Sequence, residues 1–156
     1  MRKILRIIVF VVGALFVCVA ALVTVIAFTQ GLGRPIRYEF APGFTGWVMI
    51  EYENPSCPPL QSKGFYIVIP ISPNGRACTS SSVPRGWRYL RHEYVSPEGK
   101  RSIITHNGSE SENLVWGGSV APAQATVRFP RKTFFIGTRD QLEKNWATEP
   151  DVRDHK

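Results

Sequence analysis

The stretch FTGWVMIEYE, residues 44–53, alternates between two kinds of side chain and indicates the class of fold. In an extended chain, successive side chains point to opposite faces. One face carries mostly apolar groups, at Phe44, Gly46, Val48, Ile50 and Tyr52. Trp47 falls on the other face, together with threonine, methionine and two glutamates. This alternation predicts a β-strand with one buried face.

Similar short segments follow along the chain at intervals typical of an all-β protein. They lie at 65–71, 76–80, 87–95, 101–105, 114–116, 125–129 and 133–136. Asn74-Gly75 supplies turn chemistry between the first two, and Ser96-Pro97-Glu98-Gly99 predicts a tight hairpin between the next two. No long amphipathic helix alternates with these segments, which argues against an α/β enzyme fold. The pattern therefore predicts a single antiparallel β-sandwich.

A short helix is expected near the C-terminus, after the last predicted strand. Thr138 and Gln141 have the spacing of a capping box, in which each side chain satisfies a backbone N–H at the start of the helix. We expect this helix to cover roughly residues 139–146. The charged tail at 147–156 contains a proline and few apolar residues, so we expect it to be disordered.

The N-terminus carries Arg2, Lys3 and Arg6, and then residues 7–28 contain no charge. A helix of that length spans roughly 33 Å, which is enough to cross the hydrocarbon core of a bilayer. The cations are expected to hold residues 1–6 in the cytoplasm, so residues 7–28 predict a retained transmembrane signal anchor in a bacterial cytoplasmic (inner) membrane. The alternative is a secreted or periplasmic protein, released by cleavage near Ala27. A glycine- and proline-containing linker at 29–35 would connect the anchor to an extracytoplasmic β-sandwich domain at 36–146.

Cys57 and Cys78 are the two cysteines of the exported part, and an oxidising compartment favours a disulfide between them. A zinc site is the competing interpretation, but the pair lacks a CxxC spacing and a nearby histidine, so no metal site is predicted. Cys18 lies inside the apolar segment. It has no small-residue box before it, so we expect a small apolar side chain rather than a lipid-modified cysteine.

The part of the chain that is predicted to be exported carries less positive charge than the whole chain. The formal net charge is +7, but 3 of the 19 basic residues belong to the cytoplasmic flank. The exported part therefore carries about +4, because all 12 acidic residues lie beyond the anchor. Outside the cytoplasm nucleic acid is not an expected partner, and no cofactor is predicted. The expected partners are the lipid bilayer, through residues 7–28, and an envelope protein or glycan.

Several motifs resemble a family of uncharacterised bacterial envelope proteins. They are Phe44-Thr45-Gly46-Trp47-Val48, Glu51-Tyr52, Asn54-Pro55-Ser56-Cys57-Pro58-Pro59, Cys78-Thr79-Ser80-Ser81, and Phe134-Phe135-Ile136-Gly137-Thr138 with Gln141. The resemblance covers about residues 38–144. It implies one N-terminal span or signal, followed by a β-domain similar to transthyretin-like and carboxypeptidase-regulatory sandwiches. With the strand pattern, the expected fold is all-β, a single antiparallel sandwich of the transthyretin-like or Ig-like kind. The resemblance implies no catalytic residues.

The residues offer little for catalysis. Histidine occurs at His92, His106 and His155, and no serine lies in a nucleophile-elbow pattern. On a strand, His92 and Glu93 point to opposite faces and cannot pair directly. We therefore expect no enzyme activity, with a hydrolase as the least favoured class.

Tryptophans are the candidate binding residues, because indole rings offer large apolar faces with a polar edge. The candidates are Trp47, Trp87 and Trp116. We expect an anchored, non-catalytic envelope protein whose β-domain is a protein-interaction or structural module. The alternative is a carbohydrate- or peptidoglycan-binding module that uses exposed tryptophans. Convergence of the three rings on an exposed groove would favour ligand binding, whereas burial would favour a structural role.

Overall fold

The computed structural model describes residues 2–29, 33–106, 108, 112–123, 128–148 and 150, without the side chains of residues 2–5, 7, 8 and 27–29. It contains two compact units, Met1–Gly33 with Arg85–Arg88, and Arg34–Pro84 with Tyr89–Lys156. Parts of the predicted linker at 29–35, of the strand at 125–129 and of the tail at 147–156 lie outside the described residues, as does the Ala27 side chain.

The first unit contains one long helix, α1 (Arg2–Thr29). Its segment Val9–Ile26 has a mean hydropathy of 3.0 and no buried residues. This segment is long and apolar enough to cross a membrane, and a signal sequence at this position has the same properties. Cys18 is a free cysteine exposed on α1, where the sequence predicted a small apolar side chain.

Among the described residues of the second unit, nine strands form two sheets. In chain order the strands are β1 (Ile36–Phe40), β2 (Gly46–Glu51), β3 (Gln61–Lys63), β4 (Tyr66–Pro70), β5 (Arg76–Cys78), β6 (Leu90–Val95), β7 (Arg101–Ile104), β8 (Leu114–Ala121) and β9 (Arg131–Gly137). One sheet has the order β3-β4-β1-β6-β7 and the other the order β5-β2-β9-β8. The helix α2 (Arg139–Asn145) and one turn of 3-10 helix (Trp146–Thr148) follow the last strand.

The prediction of an antiparallel sandwich was wrong about strand direction, because both sheets are mixed. Strand β1 runs parallel to β4 and to β6, and β2 runs parallel to β5. Turn motifs in the sequence reveal pairing only between strands that are consecutive in the chain. The hairpin predicted around Gly99 is such a case, and its strands β6 and β7 are antiparallel. The parallel pairs join strands that are distant in sequence. The fold is mostly β with two mixed sheets, one N-terminal apolar helix and a short C-terminal helix.

Both sheets contribute their apolar faces to one core. The alternation predicted for β2 is observed, since Val48, Ile50 and Tyr52 are buried. Strand β1 supplies a second alternating set at Ile36, Tyr38 and Phe40. The core also contains residues from the neighbouring strands, chiefly Ile69, Ile104, Phe134 and Ile136. Burial of this apolar surface is the main favourable contribution to folding of the unit.

The predicted disulfide between Cys57 and Cys78 is present, with a Cα–Cα distance of 5.8 Å. It joins the loop before β3 to the last residue of β5, and so links an edge of one sheet to an edge of the other. In the chain-entropy model, closing a loop of 21 residues destabilises the unfolded chain by about 3 kcal/mol.

The centre of the five-stranded sheet carries an ionic cluster on the face opposite the core. Glu39 and Glu93 lie among Arg37, Arg91 and Arg101. The Arg101 guanidinium donates hydrogen bonds of 2.8 Å to both carboxylates, and Arg91 forms an ion pair with Glu93. The arginine side chains cover Glu93, which is only 1% exposed. A carboxylate this deeply buried needs cationic partners to offset its lost hydration.

Candidate binding groove

Two of the three predicted tryptophans lie on either side of Phe135 on the outer face of the four-stranded sheet. Phe135 on β9 is the register partner of Trp47 on β2 and of Trp116 on β8, so the three rings form one row across three strands. Trp47 packs edge-to-face on the buried ring of Phe135, with 5.3 Å between ring centroids. The row therefore rests on a rigid aromatic residue of the sheet.

The helix α2 forms the second wall and brings a third tryptophan to the row. Its start is fixed by the predicted capping box, in which Gln141 N–H donates to the Thr138 hydroxyl and Thr138 N–H donates to the Gln141 side chain. Its end carries Trp146, whose ring centroid lies 6.4 Å from that of Trp47. Trp146 is 62% exposed and was not among the predicted binding residues.

These elements enclose a groove of about 410 Å³. It is lined by Trp47, Trp116, Gly117, Gly118, Ser119, Thr133, Leu142 and Trp146. A register irregularity in β8 falls at the two glycines, whose φ angles are +67° and +145°. A Cβ atom at either glycine would meet open space. The glycines therefore permit the bulge and keep this part of the groove free of side chains.

The polar groups of the groove are uncharged. The Trp47 indole N–H donates to the Asn145 carbonyl at 3.0 Å, and that of Trp116 donates to the Gly137 carbonyl at 2.6 Å. These bonds hold the edges of the two half-buried rings. The hydroxyls of Ser119 and Thr133 lie 2.8 Å apart, and the pair retains further capacity to donate and accept.

The third predicted tryptophan does not line this groove. Trp87 belongs to the unit that contains α1, and its side chain is 77% exposed. Of the three candidate tryptophans, Trp47 and Trp116 line the groove and are half-buried, and the third ring there is Trp146. The spacing of Leu142 and Trp146 could have identified the third ring, because residues four apart lie on the same face of a helix.

His92, a candidate catalytic histidine in the sequence, lies in the core of the β-domain. The His92 ring stacks on that of Tyr38 at 4.7 Å between centroids and packs edge-to-face on Phe134. Burial, with the charges of His106 and Lys132, lowers the pKa of His92 to about 3. His92 is therefore neutral at neutral pH. Glu93 points to the other face of the sheet and interacts with arginines, as the alternation predicted.

A half-buried lysine, Lys132, lies near the same rings. Lys132 Nζ donates a hydrogen bond of 2.8 Å to the Tyr38 hydroxyl and lies 5.0 Å from the centre of the Tyr38 ring. Burial lowers the pKa of Lys132 and raises that of Tyr52 to about 12. Among the described residues, no group of three or more metal-ligating side chains is present.

Comparison with known proteins places the chain by family and by fold. Among curated proteins, none matches the chain. A crystal structure of a Bacillus anthracis protein, described as a candidate lipoprotein, is similar, with a TM-score of 0.52 and 17% identity. The similarity covers 79% of this chain and 81% of that one, and at this identity it concerns the fold alone. The model of a family of unknown function, DUF6843, matches residues 39–145, so the chain belongs to that family.

Proposed function

We propose that this protein is an anchored, non-catalytic module of the bacterial cell envelope, of the transthyretin-like kind, that binds uncharged glycan in the groove formed by Trp47, Trp116 and Trp146. The observation that carries the proposal is the placement of three indole rings around one uncharged groove. Large, rigid aromatic faces with few polar groups are typical of sites that bind small ligands.

The chemistry of the groove favours sugar rings. A sugar ring offers an apolar face of C–H groups and a rim of hydroxyls. The indole faces can stack on the former, and the paired hydroxyls of Ser119 and Thr133 can bond the latter. No charged side chain lines the groove among the described residues, so a charged ligand would lose hydration without a compensating partner.

Three features support the proposal that the β-domain lies outside the cytoplasm. The apolar helix α1 is long enough to span a bilayer, and Arg2, Lys3 and Arg6 precede its apolar segment. This arrangement favours a cytoplasmic N-terminus in the inner membrane with the β-domain outside. The disulfide between Cys57 and Cys78 is typical of an oxidising compartment.

A structural or protein-interaction role is the second candidate, and one observation favours it. The indole N–H groups of Trp47 and Trp116 already bond main-chain carbonyls at Asn145 and Gly137. The Trp47 ring therefore fastens α2 to the sheet, and the Trp116 ring is held to the end of β9, so both could serve the fold alone. Substitution of Trp146 distinguishes the two roles, because this side chain is largely exposed and its ring adds surface to the groove.

The test is calorimetric titration of the full chain in nanodiscs with chitin tetrasaccharide, a neutral oligomer of N-acetylglucosamine. We expect binding that Trp146→Ala weakens about two- to twelvefold, because an aromatic contact contributes about 0.5–1.5 kcal/mol beyond its area. Trp87→Ala is the matched control, since it removes an exposed tryptophan outside the groove. Absence of binding, or equal loss in both variants, would contradict the proposal and leave the structural role.

A further inference from the structure

One end of the five-stranded sheet is formed by the starts of three parallel strands. Strands β4 and β6 run parallel to β1 on either side of it, so all three begin at the same end. Strand β3 is antiparallel to β4 and finishes there. The Ile36 N–H, at the start of β1, donates a hydrogen bond of 2.9 Å to the Tyr89 carbonyl. The segments that meet at this end of the sheet are 34–37, 61–66 and 89–91.

These three segments carry the net positive charge of the part of the chain beyond residue 28. They contain four basic residues and no acidic residue. Of the 16 basic residues beyond residue 28, the other 12 are balanced by the 12 acidic ones. Arg34 and Lys63 are exposed, and Arg91 is 33% exposed although it pairs with Glu93. The fourth cation, Arg37, is more deeply covered. This end of the sheet therefore presents three cations to the surroundings.

Two large aromatic side chains are exposed among these cations. Phe65 lies in the turn between β3 and β4 and is 73% exposed, and Tyr89 precedes β6 and is 60% exposed. Lys63 is the register partner of Tyr66, whose ring centroid lies 6.1 Å from that of Phe65. Aromatic rings beside long cationic side chains are typical of membrane–water interfaces. We name this surface the basic rim, and it consists of Arg34, Lys63, Phe65, Tyr89 and Arg91.

The chain between α1 and β1 is a short tether that leads to the basic rim. Six residues, 30–35, separate the end of α1 from the start of β1. A chain of that length extends over at most about 25 Å. A bilayer that contains α1 is therefore within reach of this end of the sheet. A short tether raises the effective concentration of the rim at the bilayer surface to roughly the millimolar range.

We propose that the basic rim docks on the surface of a bilayer that contains anionic phospholipid, with its three cations against phosphates and its two aromatic rings among the headgroups. The inference rests on the membrane anchor of the proposed function. It does not rest on the glycan groove, whose lining contains none of the rim residues. Each basic side chain at an anionic surface favours docking about fivefold, and burial of aromatic area adds to this.

The test uses the full chain in nanodiscs in which some lipid headgroups carry gadolinium, and it measures paramagnetic relaxation of amide signals. The signals of Phe65 and Tyr89 report on the basic rim. The signal of Gly99 reports on the β6–β7 hairpin, at the opposite end of the sheet. Discs of phosphatidylcholine alone are compared with discs that also contain phosphatidylglycerol. Slow hydrogen exchange of the amides in Val9–Ile26 checks, in the same discs, that α1 lies in the bilayer.

In anionic discs we expect the relaxation enhancement at the rim to exceed that at Gly99 severalfold, and neutral discs or high salt should reduce this difference. Lys63→Glu should lower the docking constant by at least about fivefold. Lys100→Glu is the matched control, because Lys100 is exposed beside Gly99, and it should leave docking unchanged. Phe65→Ser should lower the constant at least about threefold. Ile103→Ser removes an exposed apolar side chain from β7 and should not.

The outcomes that overturn docking differ from those that remove the anchor. Equal enhancement at both ends of the sheet in anionic discs, with α1 protected, would overturn docking and leave the anchor in place. Equal weakening by Lys63→Glu and Lys100→Glu would also overturn it, because net charge alone would then explain the effect. Unprotected α1 amides would refute the anchor, and this inference with it. Rim signals that shift with protein concentration in neutral discs would assign the rim to a second copy of the chain and overturn the proposal.

Discussion

Replacing Glu93 with glutamine should destabilise the β-domain strongly, although the two side chains have nearly the same size. The Glu93 side chain is 2% exposed and accepts a hydrogen bond of 2.8 Å from Arg101. It also forms an ion pair with Arg91, and Arg37 Nε lies 3.9 Å away. Glutamine removes the charge and leaves three guanidinium groups around one remaining carboxylate, that of Glu39.

The magnitude follows from burial. Removing one partner of a buried ion pair typically costs about 3–5 kcal/mol, because the other charge stays desolvated and unpaired. Here the side chains of Arg91 and Arg101 are 33% and 38% exposed, so water offsets part of the loss. We therefore expect Glu93→Gln to lower the free energy of unfolding by about 2–3 kcal/mol. For a domain of this size that lowers Tm by about 10 °C.

The assay is thermal unfolding of the full chain in nanodiscs, followed by near-UV circular dichroism of the tryptophans. Glu143→Gln is the matched control, since Glu143 is exposed and pairs with Arg139 on the surface of α2. Such a pair contributes about 0.3–0.5 kcal/mol, so the control should lower Tm by about 1–2 °C. Equal Tm values for the two variants would refute the argument that Glu93 depends on its buried cationic partners.

Three further changes test other parts of the structure. Replacing both Cys57 and Cys78 with alanine should lower the free energy of unfolding by about 3 kcal/mol in denaturant titrations, and a loss below about 1 kcal/mol would refute the chain-entropy argument. Because burial lowers the pKa of His92 to about 3, the unfolded chain takes up a proton at the ordinary value of 6.5, where the native state does not. Stability should thus fall as pH falls from about 6.5 towards 3, by up to about 1.4 kcal/mol per pH unit, and His92→Phe should flatten this dependence; an unchanged slope would contradict it. Thr138→Ala should destabilise α2 by about 1 kcal/mol and weaken glycan binding, and unchanged hydrogen exchange in α2 would count against the cap.

Local features of the fold could be predicted from the sequence, because their causes are local. Alternation in 44–53 identified β2 and its buried face, and turn chemistry identified the hairpin at Gly99. The capping pair Thr138 and Gln141 identified the start of α2. Two cysteines in a domain predicted to be exported sufficed to predict the disulfide.

Long-range pairing could not be predicted in the same way. Ile36–Phe40 alternates as β2 does, but it follows a proline-containing segment after the apolar helix, and the sequence pattern predicts no strand there. It lies at the centre of its sheet, with parallel partners that are distant in sequence. Parallel pairs lack a turn motif between adjacent strands, so nothing local reveals them.

The sequence identifies single residues of the candidate groove but not the groove itself, because its assembly depends on long-range strand pairing. Sequence placed Trp47 opposite the buried face of β2 and singled out Trp116 beside two glycines, and both line the groove. It could not show that β9 lies between their strands and brings both rings to Phe135. Trp146 was missed because it ends a short helix whose packing on the sheet depends on the whole domain.

The most direct test of the central claim is the indole N–H spectrum of the full chain in nanodiscs during titration with chitin tetrasaccharide. The chain has four tryptophans, so four assigned signals report on every indole ring. The account predicts that the signals of Trp47, Trp116 and Trp146 shift together with one dissociation constant, while that of Trp87 does not move. A spectrum in which none of the three groove signals shifts, or in which the Trp87 signal shifts as they do, would contradict it.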